Sequence, residues 1–222
     1  MPAAVFDAMG TLFDLEPLRG RFVRAGAAPD ALELWFARTL HAAAALTLAG
    51  SFEPFPRIAE ATLQSVLAQR GLDPGRAREI VAGLGELEAF PEARAALARL
   101  ADEGFELLVL TNGSRENTRS LLRRSRLDGY VSRIVTTEDV GAYKPHPRPY
   151  RFALEQLRRP AGAVTLVAAH AWDVAGARAV GMHTVWISRL ERRWPLPIAP
   201  ATAAADLEEA AALVLSSAGD AP

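Results

Sequence analysis

The sequence predicts an α/β fold: a parallel sheet flanked by helices, with a helical cap inserted after the first strand. Three observations predict it. A short apolar run, Ala3 to Phe6, opens the chain and delivers Asp7 into a turn containing Gly10. From Leu15 to Gly85 the periodicity is helical, with no convincing strand. Beyond Phe105 apolar runs alternate with helical stretches, the rhythm of parallel strands joined by crossover helices. The expected boundaries follow from these changes: residues 1–14 and 86–222 form the core, and residues 15–85 the cap.

Taken in order, Ala3 to Phe6 reads as a buried strand because it carries no polar residue. Asp30 and Glu33 have the spacing of a capping box, opening a helix whose apolar face includes Leu32, Trp35, Phe36 and Leu40 and which Gly50 closes. Ile58, Leu63, Val66 and Leu67 mark a second helix, stopped at Gly71. Pro91 suits the start of a helix and Gly104 its end. Phe105 to Leu110 is apolar apart from Glu106, and the turn Thr111-Asn112-Gly113-Ser114 leads into an arginine-rich helix. Arg133 to Thr137 is a further strand and Pro147 to Arg159 a helix. Val164 to Ala169 and Met182 to Ser188 are strands separated by a helix from Asp173 to Val180. Ala203 to Ser217 reads as a final helix with Leu207, Leu213 and Val214 on one side.

Composition excludes several classes of function. Half of the 222 residues are hydrophobic and the formal net charge is −1, so a large core is expected and a nucleic-acid partner is not. No cysteine occurs, which removes disulfides, thiolate nucleophiles and cysteine-based metal sites. No apolar stretch approaches the length of a membrane span, and a cytoplasmic location is expected. Of the 25 basic residues only Lys144 is a lysine. A genome rich in arginine codons explains the bias but not the exception. A compact ammonium on a flexible stem does what a planar guanidinium cannot.

Ligands of open α/β sheets, Rossmann-like folds included, bind beyond the carboxyl ends of the strands. Four segments bring polar groups there: Asp7 after the first strand, Thr111 and Asn112 after the second, Lys144 after the third, and His170, Trp172 and Asp173 after the fourth. An aspartate after a strand is by itself more often a turn former. Four such segments in order on one edge point to a site.

The stretches Asp7-Ala8-Met9-Gly10-Thr11-Leu12, Thr111-Asn112-Gly113, Tyr143-Lys144-Pro145 and Ala171-Trp172-Asp173 resemble the four motifs of the haloacid dehalogenase superfamily. They are most similar to those of its type II branch, which acts on L-2-haloacids. The resemblance runs over nearly the whole chain and implies an aspartate nucleophile, Asp7, that forms an ester cleaved later by water. It implies Lys144 beside Asp7 to keep it ionised, hydroxyl bonds from Thr11 and Thr111, and Asp173 either orienting the water or steering Lys144. Met9, Leu40, Phe55 and Trp172 fall at apolar pocket positions, Met9 in place of a usual tyrosine, and Tyr150 at the position of a tyrosine bonded near the site. The expected substrate is a small carboxylic acid, and relatives of the branch imply a homodimer.

Two absences separate carbon from phosphoryl chemistry within that resemblance. Phosphatases of the superfamily place an acid two residues after the nucleophile to protonate the leaving alkoxide, where this chain has Met9. They also hold magnesium with an acid four residues before the last, where this chain has Ala169. No metal or cofactor is therefore expected. Three positions depart from the pattern of the dehalogenase branch, without touching the carboxylate nucleophile. Phe36 stands where the branch has a halide-accepting arginine, with Arg38 and His41 on other faces of the helix. His170 replaces an asparagine and Ala168 a serine; His170 could donate a hydrogen bond or act as base for the water. Loss of a charge-assisted donor costs roughly 1.5–3 kcal/mol, which Asn112 or His170 would have to offset. The expectation is a metal-independent 2-haloacid dehalogenase. The alternatives are a hydrolase of the superfamily with another substrate, including a phosphatase, and a non-catalytic ligand-binding protein on the same fold.

Overall fold

The protein is described by a computed structural model covering residues 2–219. Six parallel strands form one sheet: β1 (Ala3–Phe6), β2 (Glu106–Thr111), β3 (Val131–Thr136), β4 (Val164–Ala168), β5 (His183–Ile187) and β6 (Thr202–Ala204). Their spatial order is β3-β2-β1-β4-β5-β6. The order reverses at β1, whose neighbours β2 and β4 carry the chain outward on opposite sides. Such a reversal leaves a crevice at the carboxyl ends. β1 is buried on both faces, which is why it carries no polar side chain.

Between β1 and Glu88 the chain forms four α-helices, α1 (Arg19–Arg24), α2 (Ala31–Leu48), α3 (Phe55–Gln69) and α4 (Ala77–Ala82). It leaves the sheet and returns at one place. The Asp14 amide donates to Glu88 O at 2.9 Å and the Phe90 amide to Leu12 O at 2.9 Å. α2 and α3 are joined by buried bonds: Trp35 Nε1 donates to Ala59 O at 2.8 Å, and the Thr39 and Thr62 hydroxyls lie 2.8 Å apart. The opposite stripe of α2, with Phe36, Ala37, Leu40 and Ala44 at helical spacing, faces the core across a gap. The later helices α5 (Ala93–Asp102), α6 (Arg115–Arg124), α7 (Pro147–Leu157), α8 (Ala171–Ala179) and α9 (Leu207–Gly219) flank the sheet.

Two sequence expectations need correction. Asp30 and Glu33 do not form a capping box. Asp30 accepts from Arg70 and Glu33 from Arg19, so charges distant in sequence take both carboxylates. Thr202–Ala204, partly assigned to the last helix, instead pairs with β5 as the edge strand β6.

Candidate active site

Asp7 continues β1, its amide donating to Val167 O at 3.1 Å. The chain then turns sharply at Gly10, whose φ of +79° is costly for any residue with a Cβ. A Cβ there would also lie 2.9 Å from Leu190 Cδ1 and 3.0 Å from His170 Cε1. The turn brings Thr11 back over the nucleophile position. Its hydroxyl donates to Asp7 Oδ2 at 2.9 Å and accepts from the Ala169 amide at 3.0 Å, tying the ends of β1 and β4 together.

Lys144 reaches this point from the loop after β3. Its ammonium uses all three protons: 2.7 Å to Asp7 Oδ1, 2.7 Å to Asp173 Oδ2 and 2.9 Å to Leu110 O. All three side chains are almost wholly buried. Burial alone would push the Asp7 carboxyl up, but the Lys144 charge, with a smaller contribution from His170, outweighs it and holds Asp7 well below the usual carboxylate range. Burial pulls Lys144 down, and the Asp173 and Asp7 carboxylates more than restore it, so it stays protonated. Asp173 is raised, first by burial and also by the nearby Asp7 charge.

The remaining groups form a small cavity walled by Asp7, Met9, Phe36, Leu40, Phe55, Thr111, Asn112, Gly113, His170 and Trp172. It offers about 10 Å³ of free space, close to the ~10–15 Å³ that one water requires. Asn112 is held from one end: its Oδ1 accepts from the Lys144 amide at 3.1 Å, while its Nδ2 is buried without a partner. His170 sits between Phe36 and Trp172, with ring centroids 5.8 and 5.2 Å away. Its Nδ1 lies 3.4 Å from Asp7 Oδ2 and is likewise buried and unbonded. Thr111 spends its hydroxyl on the Gly113 amide at 3.0 Å, shaping the loop.

Tyr150, expected to bond near the site, does not line the cavity. It is fully buried outside the cavity, and its hydroxyl donates to Asp173 Oδ1 at 2.6 Å. Its acidity is suppressed, first by burial and then by the Asp173 charge. Asp173, wholly buried, is thus held by Lys144 on one oxygen and by Tyr150 on the other. Arg38 bonds Gln69 on the cap surface and His41 is exposed, so no arginine lines the cavity opposite Phe36. Leu190 and Glu191, beyond β5, were missed by the sequence reading. Glu191 accepts the Ala171 amide at 3.0 Å beside His170. The same rule that ligand groups follow strand ends would have found them.

The superfamily's magnesium fits this donor set poorly. The ammonium of Lys144 already bridges Asp7 and Asp173, and Ala169 brings no oxygen on its side chain. Among the described residues no three acidic or histidine side chains are grouped as a metal would need.

A family described as haloacid dehalogenase-like hydrolase matches residues 1–181. The chain is 32% identical over 202 residues to (S)-2-haloacid dehalogenase 1 of Pseudomonas sp. (strain CBS-3), covering 89% of each. It is 33% identical over 191 residues to (S)-2-haloacid dehalogenase 4A of Burkholderia cepacia, covering 84% of this chain and 83% of that one. A dehalogenase crystal structure with an intermediate complex superposes with a TM-score of 0.89 at 30% identity, covering 96% of both chains. With that sheet order, that inserted helical segment and these relatives, the chain belongs to the haloacid dehalogenase-like hydrolases.

Proposed function

We propose that the protein is a metal-independent 2-haloacid dehalogenase, hydrolysing small 2-halocarboxylic acids to 2-hydroxy acids. The observation that carries the reading is the Lys144 bridge. A carboxylate held ionised by a buried ammonium, with Met9 where an alkoxide would need an acid, is equipped to displace a group that leaves without a proton. Asp7 attacks C2, the new C–O bond forms as the carbon–halogen bond breaks, and halide departs toward the unpartnered Asn112 Nδ2. Water then attacks the Asp7 carboxyl carbon of the ester. His170, 3.4 Å from that carboxylate, takes the water's proton and returns it to the departing 2-oxygen as the tetrahedral intermediate collapses; the 2-hydroxy acid leaves, and Asp7 is restored as a carboxylate when the second water proton passes to solvent. Thr11 and Lys144 touch the nucleophile throughout. Met9, Phe36, Leu40, Phe55 and Trp172 exclude bulk water, and residues 15–85 act as the cap that admits substrate.

The relatives' names support this reading, as does the retained nucleophile geometry. Halide release from chloroacetate and 2-chloropropionate, unchanged by a chelator, tests it; magnesium-dependent hydrolysis of an aryl phosphate with no halide release would overturn it. Phe36 favours one second reading, a hydrolase of the same family with another small substrate, which the same panel would reveal. No helix among the described residues is long and apolar enough to cross a membrane. We place the protein in the cytoplasm as a homodimer formed through the apolar cap, which sedimentation would check.

A further inference from the structure

Beside the cavity at Asp7 lies a second, larger one of about 690 Å³ between α2 and the core. The two share Phe36, Leu40, His170 and Trp172 as walls, so they meet at the place of chemistry. Its inner lining is apolar. Phe36, Ala37, Leu40 and Ala44 come from one stripe of α2, and Pro145, Trp172 and Leu190 from the core. Large and small residues alternate along that stripe, and the small ones at Ala37 and Ala44 leave a groove along the helix. The charged part of the lining holds four carboxylates, Asp14, Glu16, Glu33 and Glu191, and one guanidinium, that of Arg19, which Glu16 and Glu33 already hold at 2.6 and 2.5 Å. Lys144, which also reaches this cavity, is spent on Asp7 and Asp173.

We propose that this chamber is a subsite for the substrate's C3-and-beyond chain, and that the protein prefers 2-halo acids bearing an uncharged apolar tail to the two- and three-carbon acids. The inference rests on the dehalogenase reading for its chemistry. The cavity at Asp7 is too small for a tail, whereas the adjoining chamber is walled by side chains that gain from meeting one. The acidic part of the lining repels a second carboxylate, so the tail is apolar and not anionic.

The test compares halide release from chloroacetate, 2-chloropropionate, 2-chlorohexanoate and 2-chlorosuccinate, together with binding of lactate and 2-hydroxyoctanoate by calorimetry. Expected is a kcat/KM about tenfold higher for 2-chlorohexanoate than for 2-chloropropionate, below the ceiling of about fourfold per fully buried methylene. 2-Chlorosuccinate should be poorer than 2-chloropropionate by about tenfold. Ala37→Phe and Ala44→Phe, on the chamber wall and away from the reacting groups, should remove the chain-length gain and keep chloroacetate turnover within about threefold. Equal turnover of short and long acids overturns the subsite. So does a parallel loss on chloroacetate in both variants, which would make the chamber a passage. If no halide is released but 2-hydroxyoctanoate still binds at least tenfold tighter than lactate, the dehalogenase reading fails and the subsite stands; equal binding then overturns the subsite too.

Discussion

Replacing Lys144 by Met tests the heart of the site. Met fills nearly the same volume, so the change removes a charge and leaves no large void. Its consequence follows from the three contacts of Nζ, two of them 2.7 Å ion pairs to Asp7 and Asp173 in a site shielded from solvent. Removing one partner of a buried pair costs roughly 3–5 kcal/mol, and here two carboxylates lose the same partner. The variant relieves this by protonation. In the parent, Asp7 titrates below its unfolded value, so its stabilisation is present above the ordinary carboxylate range and lost as pH falls through the folded value. Lys144 is raised, so its contribution is fully present below the unfolded value of 10.5 and lost as pH rises through the folded one. In the variant the carboxylates have burial and mutual repulsion without a cation, which raises their folded pKa above the unfolded one. Stability then falls as pH rises through that interval, so the deficit against the parent is smallest in acid and greatest in alkali. Since only ionised Asp7 attacks carbon, single-turnover halide release should drop about a hundredfold or more near neutrality, as ~3 kcal/mol implies. Urea unfolding and rapid-quench halide release from about pH 4 to pH 9 would measure both effects. A Lys144→Met protein within threefold of the parent rate, with a parallel stability profile, would refute the reasoning.

Other consequences are as direct. His170→Ala should keep the alkylation step and slow ester hydrolysis by about a hundredfold or more, so mass spectrometry should find the substrate's carboxyalkyl group on the peptide containing Asp7; unchanged steady-state turnover would remove His170 from the second step. Tyr150→Phe leaves Asp173 Oδ1 without its 2.6 Å donor at full burial, which should cost about 1–3 kcal/mol in urea unfolding; a neutral result would mean that Asp173 does not need the bond. Gly176→Ala, normally favourable inside a helix, should destabilise by about 1–3 kcal/mol, because the new Cβ would lie 2.5 Å from the Tyr150 hydroxyl and 2.8 Å from Pro145 Cβ. An amine-reactive reagent should leave the Lys144 peptide unmodified in the native protein and modify it after unfolding, since the residue is 2% exposed; labelling of the native protein at a rate typical of free lysine would contradict the buried bridge.

The central strands β1, β2 and β4 were legible because each is a largely apolar run bounded by turn residues, and the groups at the strand ends could be placed on one edge by topology alone. β6 escaped because Thr202–Ala204 is three residues long and alanine-rich, with little β preference; pairing with β5 makes it a strand. The expected cap of α2 failed for a related reason. Asp30 and Glu33 have the right local spacing, but Arg70 and Arg19 arrive from elsewhere in the chain and compete successfully for them. Tyr150 shows the limit of motif position. Its number placed it near the site, and only the packing of α7 against α8 shows that Asp173 is the group it bonds.

The loss of an arginine opposite the nucleophile is best understood through the loop that carries Lys144. That residue's side chain fixes Asp7, and its backbone amide, at 3.1 Å, fixes Asn112. The second contact leaves the Asn112 carbonyl oxygen occupied and its NH₂ turned away from backbone partners, buried and unsatisfied. In the proposed mechanism this amide is the donor that receives the departing halide. A neutral donor is weaker than a guanidinium, but this one is already oriented and desolvated, so it needs no reorganisation as charge develops on the leaving atom. In that mechanism one loop sets both ends of the displacement, since Lys144 contacts Asp7 through its side chain and Asn112 through its amide. Phe36 can then serve as wall and leave anion binding to Asn112. Asn112→Ala should consequently slow halide release from every substrate, by about tenfold to a hundredfold, with no change in the pH dependence that Lys144 controls. A shift of that pH profile in Asn112→Ala would show that the two ends are not independently held.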